Sequence, residues 1–283
     1  MGLVFRVEAV RVVFSVRRRL ALRAWPGVVA GKLVYDALSG VGVFLEQGGG
    51  FRVSPVREAE SGRVPVGALL PGQRYVVEAV FWSGVGAGEV AIALGHAPGW
   101  VEVEEAEVRT VEASAPEPLG WGEAVEALRR GAGDRVAAVY EVLHGPTFYR
   151  HYGGEVVYPS PHRMWPSVLR RLSQALAAGG GEAPDYRPLG LLLQQSTELA
   201  LDQTKKFRLL ISHGKRQRVF QGRARYRVAA PPRLLEAADA LLEAARLLGL
   251  GGSPGLGLGG VEEARRLEEP GETGGDEGDT LWG

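Results

Sequence analysis

The chain has 283 residues, 45% of them hydrophobic, with 33 basic and 33 acidic side chains and no cysteine. That length suits two domains of ordinary size, and the missing cysteine excludes disulfides and zinc-thiolate centres. The zero net charge hides an asymmetry: residues 261–283 carry Glu262, Glu263, Glu268, Glu269, Glu272, Asp276, Glu277 and Asp279 against only Arg265 and Arg266, which leaves the remaining body basic. This acidic, glycine-rich end is expected to be disordered. No apolar run approaches the roughly 20 residues that span a bilayer, and Arg6 and Glu8 interrupt the apolar N-terminus, so no signal peptide is expected and the protein is read as cytosolic.

Residues 3–16, rich in Val and Phe, predict a long first strand, followed by Arg17, Arg18, Arg19 and then Arg23. Pro26 opens a short helix to about residue 38 that carries Lys32 and Tyr35. A second helical turn over 41–47, containing Glu46, stops at three glycines. Residues 51–56 and 74–82 predict two antiparallel strands, 89–94 a helical stretch and 100–114 an alternating last strand. The order β-α-β-β-α-β is the ferredoxin-like pattern. After a join at Pro116 and Pro118, with a candidate helix at 122–130, the same order runs again: a strand at 136–143, a helix at 166–177, a basic hairpin, a helix at 233–248 and a short strand at 255–261. The expected architecture is α+β: two tandem ferredoxin-like domains, 1–115 and 136–261, a linker at 116–135 and a tail at 262–283.

The hairpin carries Lys205, Lys206, Arg208, Lys215, Arg216, Arg218, Arg223, Arg225 and Arg227, with no carboxylate after Asp202. A polyanion is the natural partner of such a run. Strands at 207–212 and 219–228 flank a turn at 213–216, and alternation sets Arg223, Arg225 and Arg227 on one face as a cationic comb. Beyond the next helix lie Gly249, Gly251, Gly252, Gly255, Gly257, Gly259 and Gly260. Dinucleotide and Walker loops open a helix rather than follow one, so those readings fail. Two remain: a helix stop with a flexible tail, or a loop whose backbone N–H groups approach RNA phosphates.

Four stretches, in order, resemble the CRISPR-associated endoribonucleases of the RAMP superfamily, which cut precursor CRISPR RNA within its repeats. Phe51-Arg52-Val53-Ser54-Pro55 with Gly62-Arg63 is similar to a strand and Ser-Pro turn of that family. His144-Gly145-Pro146-Thr147-Phe148-Tyr149-Arg150, continuing through Tyr158-Pro159-Ser160-Pro161 to Trp165-Pro166-Ser167, is similar to its Pro-Thr-x-Phe-Arg turn, proline-flanked loop and following helix. Val219-Phe220-Gln221-Gly222 resembles its Gly-Phe-x-Gly strand, and Gly249-Leu250-Gly251 through Gly259 its C-terminal glycine signature.

The resemblance implies tandem ferredoxin-like domains and metal-independent cleavage without a cofactor. The ribose 2′-OH attacks the adjacent phosphate and leaves 2′,3′-cyclic phosphate and 5′-OH ends. Family members place a Tyr on the first helix, a His on the second and a Lys nearby. Tyr35 matches the first, Glu46 and Gln47 stand where the His would be, and Arg52 lies near the position of the Lys. The catalytic candidates are therefore Tyr35, Lys32, Glu46 and Arg52. The RNA-binding candidates are Arg17, Arg18, Arg19, Arg23, Lys205, Lys206, Lys215, Arg216, Arg218, Arg223 and Arg225, with Gly251, Gly255 and Gly257.

Plainer readings stand beside these: Tyr35 and Trp25 as core or interface residues, Lys32 and Glu46 as solvated charges, and His151, beside Arg150 and Tyr152, as a loop histidine. Expected partners are precursor and mature CRISPR repeat RNA, CRISPR effector subunits and a second copy in a homodimer, with no membrane. Because the histidine is missing, a catalytically inactive repeat-RNA binding protein and a structural subunit of an effector complex remain rivals.

Overall fold

The computed structural model describes residues 3–44, 50–82, 85–129, 135–180, 182–212 and 214–267. In the first half β1 (Leu3–Val16), β2 (Leu20–Ala21) and α1 (Pro26–Gly40) precede β3 (Phe51–Val53), β4 (Arg57–Glu58), β5 (Ala68–Leu69) and β6 (Tyr75–Phe81). Helix α2 (Ala87–Gly95) and β7 (Val101–Ala115) close it. A short helix, α3 (Trp121–Arg129), fills the linker. The second half runs β8 (Val136–Thr147), β9 (Tyr149–His151), β10 (Gly154–Val156), α4 (Pro161–Ala178), α5 (Arg187–Ser196), β11 (Thr197–Ser212), β12 (Lys215–Ala230), α6 (Pro232–Leu248) and β13 (Val261–Leu267). A 3-10 turn, Pro254–Leu256, sits within the glycine run.

The main sheets have the orders β3-β6-β1-β7 and β11-β12-β8-β13, antiparallel throughout. Each places the first and third strands of a β-α-β-β-α-β unit at the centre, so both halves are ferredoxin-like, as the pattern predicts.

Strand β1 shows how they stack. Val10, Val12, Phe14 and Val16 pack among the residues of α1 and α2, whereas Phe5 and Val7 join the core built around α4 and α6 of the second half. Helix α4 contacts β1 and α6 contacts β7. The first sheet is thereby covered on both faces, which is why β1 carries buried apolar residues on each of its two faces. On the second sheet, Ala138, Tyr140, Val142, Ala224, Tyr226 and Val228 face the helices, and the opposite face carries Glu141, Arg223, Arg225 and Arg265.

Several boundaries differ from the sequence reading. Helix α4 begins at Pro161 and carries Pro166 in its interior, because Pro161 takes the first-turn position expected of Pro166. Helix α5 and the first ten residues of β11 (197–206) had no predicted counterpart. The last strand falls at 261–267 and not at 255–261, since the left-handed Gly257 and Gly259 cannot continue an extended ladder. The tail therefore begins as an ordered edge strand on β8, and the expectation of disorder fails for 262–267. Residues 268–283 and Glu46 lie outside the described residues.

Candidate nucleic-acid interface

The glycine run is a packed seam. Helix α1 presents Gly27 and Gly31 one turn apart, both buried, and a β-carbon on Gly27 would stand 2.8 Å from the Cα of Gly257. A β-carbon on Gly31 would collide with the carbonyl of Gly255. Gly255 in turn leaves room for the Phe51 ring. Tyr35 continues the Gly27–Gly31 stripe by one more turn and meets Phe51 edge-on at 5.8 Å, so its ring sits at the end of the seam. Lys32, three residues before Tyr35, is exposed and bonded to Asp36 at 2.6 Å.

This geometry replaces both readings of the glycine run. The amide of Gly251 donates to Ser167 Oγ at 2.8 Å, and those of Gly252, Gly257 and Gly259 donate to the carbonyls of Phe148, Pro254 and Pro146. Gly251 and Gly257 have no N–H to offer a phosphate. The amides of Gly251 and Gly257 are thus taken up inside the chain, and Gly251, Gly255 and Gly257 are packing positions that the close approach of two domains requires.

Arg52 is also corrected. Its guanidinium reaches across to the end of α6 and donates to the carbonyls of Leu247 and Arg246, the latter at 2.9 Å. Burial pulls its pKa down, against the opposing effect of Glu78. Held there, it serves the negative end of a helix. Arg171, which the sequence reading passed over, does the same from the second half: it is 2% exposed and donates to Leu248 and Gly251 at 2.7 and 2.6 Å. The signal for Arg171 was its place in the apolar periodicity of α4, where a charge must find partners.

The hairpin arginines divide into two groups. At its root, Glu141 is buried at 3% exposure and binds Arg225 and Arg265 at 2.8 Å, with Arg223 at 3.7 Å. These bonds from Arg225 and Arg265 hold the Glu141 carboxyl below the usual carboxylate range. Arg227 pairs with Glu198 at 3.3 Å. The comb is thus partly neutralised from within, because β8 places Glu141 opposite Arg225 in register, one carboxylate for three guanidinium groups. Toward the tip, Lys205, Lys206, Lys215, Arg216 and Arg218 are exposed, and Arg208 stands directly across from Arg218. No carboxylate pairs with any of these among the described residues. Like charges opposite one another repel, so this end of the hairpin is short of an anion.

The tip meets the first arginine cluster. The Trp25 amide donates to the Leu210 carbonyl at 2.7 Å, and Leu210 is the register partner of Arg216. Trp25, Val28, Phe148, Phe207, Leu209, Ile211, Val219, Leu256 and Leu258 form an apolar cluster beneath the contact; Trp25 is an interface residue there. Arg23 thus lies two residues from the docking point, and Arg17, Arg18 and Arg19 are exposed at the end of β1. The fold joins two basic segments far apart in sequence beside the start of α1. Among the described residues, no cluster of three His, Asp or Glu side chains could hold a metal ion, and no helix is long and apolar enough to cross a membrane.

Residues 142–261 match the family model for CRISPR-associated endoribonuclease Cas6. The resemblance to the CRISPR repeat endoribonucleases holds. The match spans the glycine seam, the buried Arg171 and the basic hairpin, the features that join the two halves. A solved Cas6 product complex is similar with a TM-score of 0.59 and 16% identity, over 92% of this chain and 100% of that one. A second Cas6 product complex gives 0.55 and 20%, over 93% and 100%. Thermus thermophilus Cas6 gives 0.55 and 17%, over 94% and 100%. At such identities the likeness speaks for the tandem ferredoxin-like fold. No curated protein matches the chain.

Proposed function

We propose that this protein binds precursor CRISPR RNA and cleaves it within the repeat without a metal, leaving 2′,3′-cyclic phosphate and 5′-OH ends. The observation that carries the proposal is the docking of Trp25 on Leu210, which sets unpaired cations of both halves around the start of the helix bearing Lys32 and Tyr35. The match to the Cas6 family over 142–261 supports the substrate class, and two proteins similar in fold are Cas6 product complexes.

In this reading the backbone of the RNA lies across Arg17–Arg19, Arg23 and the hairpin tip, and Tyr35 and Lys32 face the scissile phosphate. Tyr35 donates to a phosphate oxygen or the leaving 5′-oxygen, and the Lys32 ammonium, released from Asp36, stabilises the phosphorane. The 2′-OH, held in line, loses its proton to water as its oxygen bonds to phosphorus and the P–O5′ bond breaks. Since Arg52 serves the end of α6, cationic stabilisation falls to Lys32 and the free arginines.

The test is incubation with a labelled cognate repeat in chelator, followed by analysis of the product ends. Cleavage in EDTA to a cyclic phosphate, abolished by a 2′-deoxy sugar upstream of the cut, is the expected result. Cleavage of the deoxy substrate would refute the mechanism. The second reading, binding without cleavage, is favoured by the missing histidine and the Lys32–Asp36 pair; tight binding with no product at any temperature would establish it.

A further inference from the structure

We propose that Tyr152, at the tip of the β9–β10 hairpin, is a stacking platform for an unpaired base of single-stranded RNA. The proposal rests on the RNA-binding reading above and adds a contact that neither the basic clusters nor the glycine seam supplies.

Tyr152 and Gly153 form a two-residue hairpin turn with φ of 46° and 79°. Positive φ at both central residues marks the mirror-image turn that suits the twist of paired strands, and Asn-Gly or Gly-Gly fills it with least strain. A large aromatic side chain is a poor choice there. Among the described residues only Tyr152 and Ser253 combine a side chain with positive φ. Ser253 lies within the packed glycine seam, where its neighbours dictate the conformation. Among the described residues Tyr152 has no such cause: it is 98% exposed, and its ring meets that of His151, 4.4 Å away and tilted by 46°. The turn itself demands the positive φ, and among the described residues no ring contact besides that of His151 holds the tyrosine there; a bulky side chain kept where asparagine or glycine fits best points to a function outside the fold.

The surroundings identify that ligand. Arg150 is exposed, with its guanidinium 5.8 Å from the Phe148 ring, and Glu155 stands across from it in register. Arg163 reaches the His151 ring at 3.1 Å, fixing the imidazole beside Tyr152. An exposed aromatic ring beside an imidazole that Arg163 holds, on a hairpin that also carries Arg150, suits a flat, π-rich group attached to phosphate. The hairpin also springs from the junction described above, since the Phe148 carbonyl accepts from Gly252 and its ring joins Trp25, Ile211 and Val219. The hairpin that carries Tyr152 is therefore rooted, through Phe148, in the same junction as the basic hairpin.

The experiment titrates single-stranded oligoadenylate RNA at low salt, and again over a salt series, into the parent protein and into Tyr152→Asn, Tyr152→Trp and Arg216→Ala/Arg218→Ala. Tyr152→Asn should bind about five- to a hundred-fold more weakly, the range for loss of one stacked base, with an unchanged salt slope because stacking releases no counterions. It should also melt at a higher temperature, since asparagine relieves the turn. Tyr152→Trp should retain affinity, and the double arginine variant should flatten the slope. Parental affinity in Tyr152→Asn, a flattened slope or a lower melting temperature in that variant would overturn the stacking site while leaving RNA binding intact. Failure of the parent itself to bind at low salt would overturn both.

Discussion

Arg52 of the first domain and Arg171 of the second hold neighbouring carbonyls at the end of a single helix. Arg52 takes those of Arg246 and Leu247, and Arg171 takes that of Leu248 together with Gly251 beyond it. Among the described residues neither makes a salt bridge with a carboxylate; both guanidinium groups face the negative end of α6. Burial, with Arg170 and Arg52 nearby, lowers the Arg171 pKa to about 9. Its protonated form is retained because these carbonyls need donors. Arg171→Met leaves the two carbonyls unbonded in a buried site, at a cost of about 1–3 kcal/mol for each. Urea unfolding should show that loss, with Arg171→Lys recovering part of it. An unchanged midpoint for Arg171→Met would show that water satisfies the helix end.

The seam between α1 and the glycine run is predicted to tolerate no β-carbon. Gly31→Ala sets a methyl group against the Gly255 carbonyl, and Gly255→Ala sets one 2.7 Å from the Phe51 ring. Overpacking of this kind costs about 1–3 kcal/mol. Both variants should unfold at lower denaturant and, because α1 must shift, lose RNA cleavage faster than RNA binding. Gly88→Ala, in helix α2, provides the control, since its β-carbon meets nothing and its backbone is helical.

Charge removal should separate the hairpin's tip from its root. Arg216→Ala and Arg218→Ala remove cations without an internal partner and should each lower the salt slope of single-strand binding by about 0.7 per lost phosphate contact. Arg223→Ala and Arg225→Ala remove partners of Glu141, so they should affect the slope less and stability more. Glu141→Gln releases those arginines, and with them it should steepen the slope while lowering the melting temperature. Equal effects of tip and root substitutions on the slope would place RNA along the whole sheet face.

His144 is completely buried, its Nε2 2.9 Å from the Tyr226 hydroxyl, and its Nδ1 has no hydrogen-bond partner among the described residues. Desolvation lowers its pKa to about 3. The unfolded chain takes up a proton below pH ~6.5 that the folded chain refuses until about 3. Its contribution is therefore complete above the upper value and is lost as pH falls through the window, by about 1.4 kcal/mol per pH unit at most. His144→Gln, which does not titrate, should unfold with a shallower pH dependence between pH ~6 and ~4. An identical slope would mean that His144 is solvated when folded.

The β-α-β-β-α-β order was legible in both halves because it rests on local signals: Val-rich alternation in β1, Pro26 and Pro232 at helix starts, and Gly249 at a helix end. Helix α5 and the root of β11 escaped because Leu191, Leu192 and Leu193 give no clear period, and β11 there alternates polar residues on a half-open face. The cationic comb was visible by alternation, but its neutralisation was not: Glu141 lies 84 residues from Arg225, and only the pairing of β8 with β12 brings them together.

By itself the sequence determined a tandem repeat of one fold, an excess of cations outside the acidic end and a glycine-rich stretch after the last helix, all of which depend on residues near one another in the chain. Tertiary structure decided which cations meet a carboxylate of the chain, that the glycines pack in a seam, and that Arg52 and Arg171 serve one helix end. These outcomes depend on strand register and domain contact, where partners more than a hundred residues apart, such as Gly31 and Gly255, meet only after both sheets have formed.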